Sequence, residues 1–172
     1  MLRQVKVRYD QLEDRLQLTL FTDPQAHHLV LTRRIWIGAR LAFQHILERS
    51  SEVPKVLPAG LRSHVVASHH YAMSALTPAT CKTDSEERVP TEASLVTAIR
   101  FGERSATPPR LGRAWFIRFD RLNRPQLTLA LNDKTLHALV SALRQCEVAA
   151  QWSLPALSTA STRPAEHRVT LQ

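Results

Sequence analysis

Glycine is scarce in this chain: four residues in 172, at Gly38, Gly60, Gly102 and Gly112. A loop that cradles phosphate through its backbone N–H groups needs several glycines within about six residues. Scattered as they are, these four exclude the common nucleotide-binding loops. Cysteine is scarcer still, with Cys81 and Cys146 alone. They make no metal-type pair, neither sits in a recognisable nucleophile context, and no secretory pattern precedes them, so a reducing cytosol is the expected compartment. No apolar run approaches the ~20 residues of a membrane-spanning helix. A G-x-S-x-G elbow is also missing. With no catalytic, cofactor or metal motif, the expectation is a protein that is not an enzyme and carries neither cofactor nor metal.

What the chain does have is apolar residues, 44% of it, and positive charge, +8 overall. The first supplies a core for one domain or two small halves. The second makes an anionic partner worth testing. The excess is uneven: eight basic against five acidic residues in 1–50, four against five in 51–93, seven against three in 94–133 and four against two in 134–172. Basic character follows the strand-rich pieces.

Those pieces are legible by periodicity. Val5, Val7 and Tyr9 alternate with Gln4, Lys6 and Arg8, and Leu16, Leu18 and Leu20 alternate with Arg15, Gln17 and Thr19. This period of two marks strands buried on one face. A third strand is expected at His28–Leu31. Thr32 then caps a helix whose buried stripe is Ile35, Trp36, Ala39, Phe43, Ile46 and Leu47, ending near Ser50. Residues 52–93 read as a connector, with a weaker helix at about 61–76 buried through Leu61, Val65, Ala72 and Leu76. Its polar remainder, Thr77–Ala93, reads as a mobile loop. The pattern restarts at residue 94, where Leu95, Thr97, Ile99 and Phe101 alternate with Val96, Ala98 and Arg100, followed by a loop at Gly102–Arg113. Trp115, Ile117, Phe119 and Leu127, Leu129, Leu131 form a second inward-facing hairpin. Asn132 or Asp133 caps a helix with the stripe Leu136, Leu139, Val140, Leu143 and Cys146. The tail from 152 is expected to be disordered after about 157, with Trp152 and Leu154 pinning its base.

The fold class predicted is therefore α+β: two β-β-β-α units, 1–51 and 94–151, with antiparallel sheet or sheets packed against long helices, plus the extra middle helix. The two hairpins are alike in sequence, VRYDQLEDRLQLTL from Val7 and IRFDRLNRPQLTL from Ile117. An internal duplication explains that likeness, as does convergence on a good amphipathic hairpin.

Candidate chemistry is sparse. His64, His69 and His70 fall on the middle helix and His27 and His28 on a strand. Imidazole is a good metal ligand, but five- and six-residue spacings on a helix point away from one another. Surface or hydrogen-bonded histidines are the better reading. Asp10, Glu13, Asp14 and Asp120 fit turn formation better than acid–base catalysis. Arg33 and Arg34 oppose a helix dipole and form a candidate anion site. Lys6, Arg8, Arg100 and Arg118, with Gln17, Thr19, Gln126 and Thr128, project from the sheet face that helices leave uncovered.

Two strand-rich units, each ending in a helix, within one short basic chain resemble the PUR-repeat and Whirly proteins. The resemblance implies a curved sheet that binds single-stranded nucleic acid. Those repeats have four strands where three are read here, and of the aromatics only Phe116 is placed outward, although base-stacking sheets rely on such residues. The function expected first is therefore an accessory or adaptor role. It would bind a partner protein or peptide through a sheet edge or the polar face, with Lys6, Arg8, Arg33, Arg34, Arg100 and Arg118 as binding residues. Single-stranded nucleic-acid binding on the same basic face is the alternative.

Overall fold

The computed structural model describes residues 2–54, 56–77, 79–82, 92–104 and 114–152. Most of Thr77–Ala93, the loop expected before Arg113 and the tail with Leu154 lie outside them.

The chain runs β1 (Leu2–Asp10), β2 (Arg15–Thr22), β3 (Ala26–Thr32), α1 (Arg33–Ser50), α2 (Ala59–Ser74), β4 (Ala79–Lys82), β5 (Ser94–Arg104), β6 (Ala114–Arg121), β7 (Arg124–Leu131) and α3 (Asp133–Ala149). All seven strands join one sheet in the order β4-β1-β2-β3-β5-β6-β7. β1–β2–β3 and β5–β6–β7 are antiparallel meanders, and the parallel pairing of β3 with β5 fuses them. The fold is α+β, with the helices on one side of the sheet. Among the described residues no helix is long and apolar enough to cross a membrane.

The core forms where the period-two apolar faces meet the helices. Val5, Val7, Leu16, Leu18, Leu20, Leu29, Leu31, Trp115, Ile117, Phe119, Leu129 and Leu131 are buried, against Ile35, Trp36, Phe43 and Leu47 of α1 and Leu136, Leu139, Val140 and Leu143 of α3. The Thr32 hydroxyl accepts from the Ile35 N–H, and Asn132 and Thr135 make a reciprocal capping box. These caps satisfy backbone donors that each helix start leaves open. α3 is buried on every side from Thr135 to Val140, because it crosses beneath β1 and β4 and is covered outside by α2.

Three expectations need correction. In β5 a bulge between Val96 and Ala98 shifts the alternation, so Val96 joins Ile99 in the core. An extra residue in one strand of a pair reverses which side chains face inward. Within the segment read as a mobile loop, Ala79–Lys82 forms β4, which pairs in parallel with Val5–Arg8 of β1. Cys81 of this strand is joined by a disulfide to Cys146 of α3, with Cα atoms 5.7 Å apart. The third correction is α2. Its expected stripe is exposed at Leu61, Val65 and Leu76, and only Val66 is fully buried.

Trp152 is 4% exposed. Its indole donates to Asp14 in the β1–β2 turn at 2.6 Å, its ring meets Tyr9 edge-on, and the Arg33 guanidinium lies 5.8 Å over it.

Candidate interaction surface and a buried histidine relay

The outer face is set by strand alternation. Cross-strand rows on this face are Lys6–Thr19–His28, Arg8–Gln17–Val30 and Arg100–Arg118–Thr128. The four cations expected here thus do project from one face. They form two groups, one on β1 and one on β5 and β6, three strand spacings or about 14 Å apart. Arg33 and Arg34 are exposed at the start of α1, on the helix side of the sheet, and do not join them.

Both groups are internally engaged. Arg8 donates to Gln17 Oε1 at 3.1 and 2.6 Å, and Gln17 in turn donates to Asp10 at 2.7 Å. Lys6 sits 5.3 Å from the Phe21 ring centre, within cation–π range. Arg100 and Arg118 share Asp120, at 2.9 and 3.7 Å. Asp10 also accepts from the N–H groups of Leu12 and Glu13, which is the turn-forming role read from the sequence. Two aromatics lie outward: Phe116, whose ring covers Gly102, and Phe21, which sequence reasoning did not place.

The two edges differ. β4 is a short strand tethered by the disulfide. β7 has eight residues and, among the described residues, pairs on one side, with β6. From Gln126 to Leu131 it carries no charged residue, and Gln126, Thr128 and Ala130 are exposed.

Beneath α2 lies a polar cluster that sequence reasoning missed. His137 of α3 is 0% exposed and Ser50, the last residue of α1, 6%. Ser50 Oγ lies 2.7 Å from His137 Nε2 and 3.3 Å from the Leu47 carbonyl, while His137 Nδ1 lies 2.9 Å from His70 Nδ1 of α2. One proton assignment satisfies every link: His70 Nδ1–H donates to His137, His137 Nε2–H donates to Ser50, and Ser50 donates to Leu47. His69 packs edge-on against the His137 ring. Burial is the largest cause holding His137 down to about 3 and His70 to about 4; repulsion from His70, His69 and Arg144 adds to it at His137, and from Arg144 and His69 at His70.

The order Ser50–His137–His70 is that of a nucleophile, a base and an orienting group, but in this assignment His137 donates its Nε2–H to Ser50 instead of accepting the hydroxyl proton. Enclosure of both Ser50 and His137 keeps a substrate carbonyl from Oγ, so the relay acts as an internal polar joint. No group of three or more His, Cys, Asp or Glu among the described residues is arranged to hold a metal ion. The only hint in sequence was His137 lying between the stripe residues Leu136 and Leu139.

A second polar joint links α1 to α3. Glu147 accepts from the Trp36 indole at 2.6 Å and pairs with Arg40 at 3.2 Å, and Arg144 donates to Gln44 at 2.8 Å. No family model, curated protein or solved structure matches the chain.

Proposed function

We propose that this protein is a non-catalytic accessory or adaptor protein that takes an extended segment of a partner protein at the open edge of β7. The observation that carries this reading is an eight-residue edge strand whose last six residues lack charge. Edge strands present unpaired N–H and C=O groups and are ordinarily blunted by charge, shortness or cover. β4 is short and tied down, whereas among the described residues β7 is blunted at its start alone, by Arg124 and Pro125. An added strand would gain main-chain hydrogen bonds and lay alternate side chains on the polar face beside Arg118 and Thr128.

Single-stranded nucleic acid is the second reading, favoured by Phe21 and Phe116 on a face that also carries Lys6, Arg8, Arg100 and Arg118. It ranks lower because phosphates would compete with Asp120 for both β5–β6 arginines and with Gln17 for Arg8. A displayed random-peptide library selected on the full chain, with binders then measured by fluorescence anisotropy, separates the two. The expected binders alternate apolar and polar residues, and they weaken at least about tenfold when Thr128 and Ala130 are both changed to Lys. Failure to select any binder, or binders indifferent to those changes, would refute the edge. Binding of a single-stranded oligonucleotide that falls steeply with salt and is lost in Arg100→Glu/Arg118→Glu would favour the second reading.

A further inference from the structure

α2 is docked by the face its sequence would expose. Val66, His69 and His70 turn toward α3 and His137, while the apolar stripe looks outward, with Leu61 55% and Val65 43% exposed, Ser68 and Ala72 exposed beside them, and Ala75 and Leu76 (58%) exposed in the turn that continues directly from the helix end. Solvating such a stripe forgoes the usual gain of burying apolar area, and a helix face of this kind marks an interaction site.

The spacing of the stripe identifies what fits it. Leu61 to Val65 is four residues, Val65 to Ala72 seven, and Ala72 to Leu76 four, a pattern unchanged when read backwards. A second α2 laid antiparallel about a two-fold axis between Ser68 and His69 brings Leu61 against Leu76 and Val65 against Ala72, twice over. That self-match is the requirement of an isologous contact. The small residues Ser68, Ala72 and Ala75 permit close approach of the two helices. Charge also permits it: α2 has one formally charged residue, Arg62, in a chain of net charge +8. In this register the two Arg62 lie about thirteen helical residues apart along the axis, about 20 Å. That exceeds the ~8 Å screening length at physiological salt.

We propose that the exposed face of α2 is a homodimer interface and that its occupant is α2 of a second copy of this chain. The peptide edge at β7 is a separate surface, so either assignment can fail without the other. One pair of sixteen-residue helices covers less than the ~1,200 Å² at which stable interfaces begin, so the dimer is expected in the micromolar range.

Sedimentation equilibrium of the full chain, from micromolar to millimolar concentration, tests this. The expected result is a mass rising from 19.5 kDa to twice that. Val65→Lys acts twice across the axis and is expected to weaken association about a hundredfold. Because Val65 is already exposed, the variant keeps its fold, which circular dichroism checks. Combining Val65→Lys with Ala72→Glu sets opposite charges against each other across the axis, and association recovers. A monomer at every concentration overturns the proposal, as does a dimer indifferent to Val65→Lys. A double variant no tighter than Val65→Lys alone overturns the antiparallel register.

Discussion

Acid should loosen this protein through the Ser50–His137–His70 relay, and the size of the effect follows from the structure. In the unfolded chain an imidazole titrates near 6.5. In the folded chain burial holds His137 to about 3 and His70 to about 4. Both folded values lie below the unfolded one, so the unfolded state binds more protons in the interval between. Stability is complete above about pH 7 and falls as the pH drops through 6.5 toward 4. At pH 5 each histidine contributes about 1.5 pH units of this loss, or about 2 kcal/mol. The two share a hydrogen bond and titrate as a pair, so the combined loss is about 3–4 kcal/mol. That is a large part of the roughly 5–15 kcal/mol available to a domain. Urea unfolding between pH 8 and pH 5 measures it. The control is His70→Gln/His137→Gln, whose absolute stability will differ but whose pH slope should flatten. His27 is also shifted down by burial, and its contribution, common to both proteins, cancels in the comparison. Equal slopes in wild type and double variant would refute the reasoning.

Three further outcomes follow from packing. Gly102→Ala places a Cβ inside the Phe116 ring; the ring must swing away, at a cost of about 1–2 kcal/mol in thermal unfolding, and adding Phe116→Leu should recover most of it. Reducing the Cys81–Cys146 bond, which spans 65 residues, should lower stability by up to about 4 kcal/mol in guanidinium, and Cys81→Ser should respond to reductant no further. Trp152→Ala removes the pin on the β1–β2 turn and should cost about 3 kcal/mol, while Asp14→Ala, which removes the hydrogen bonds to Trp152 and Tyr9 and puts alanine at a left-handed φ of 49°, should cost about 2 kcal/mol.

Where one physical signal dominated, the sequence was readable. Both hairpins and the stripes of α1 and α3 follow from apolar periodicity alone: Ile35, Trp36, Ala39, Phe43, Ile46 and Leu47 are all buried, as are Leu136, Leu139, Val140, Leu143 and Cys146. α2 was misread because two of its faces compete. Its apolar stripe is the stronger by periodicity, yet α3 offers His137 at the contact, and a buried imidazole demands polar partners. On α2 it is His70, on the other face, that supplies one, at 2.9 Å, while His69 only packs its ring against His137. β4 has four residues and a partner strand about seventy positions away, so local pattern carries no trace of it, and the disulfide was hidden with it. The outer face was correct in its residues and incomplete in its chemistry. Alternation shows which way Arg100, Arg118 and Asp120 point, whereas their mutual pairing depends on the register between strands.

The most direct test of the proposed function is backbone amide hydrogen exchange of the full chain, with and without a selected peptide. An added strand must protect amides of Gln126–Leu131 that exchange freely in the unliganded protein, while the β1–β2 hairpin stays unchanged. Protection confined to β7 is the result predicted here. A peptide that binds and leaves the exchange of β7 unaltered would contradict it.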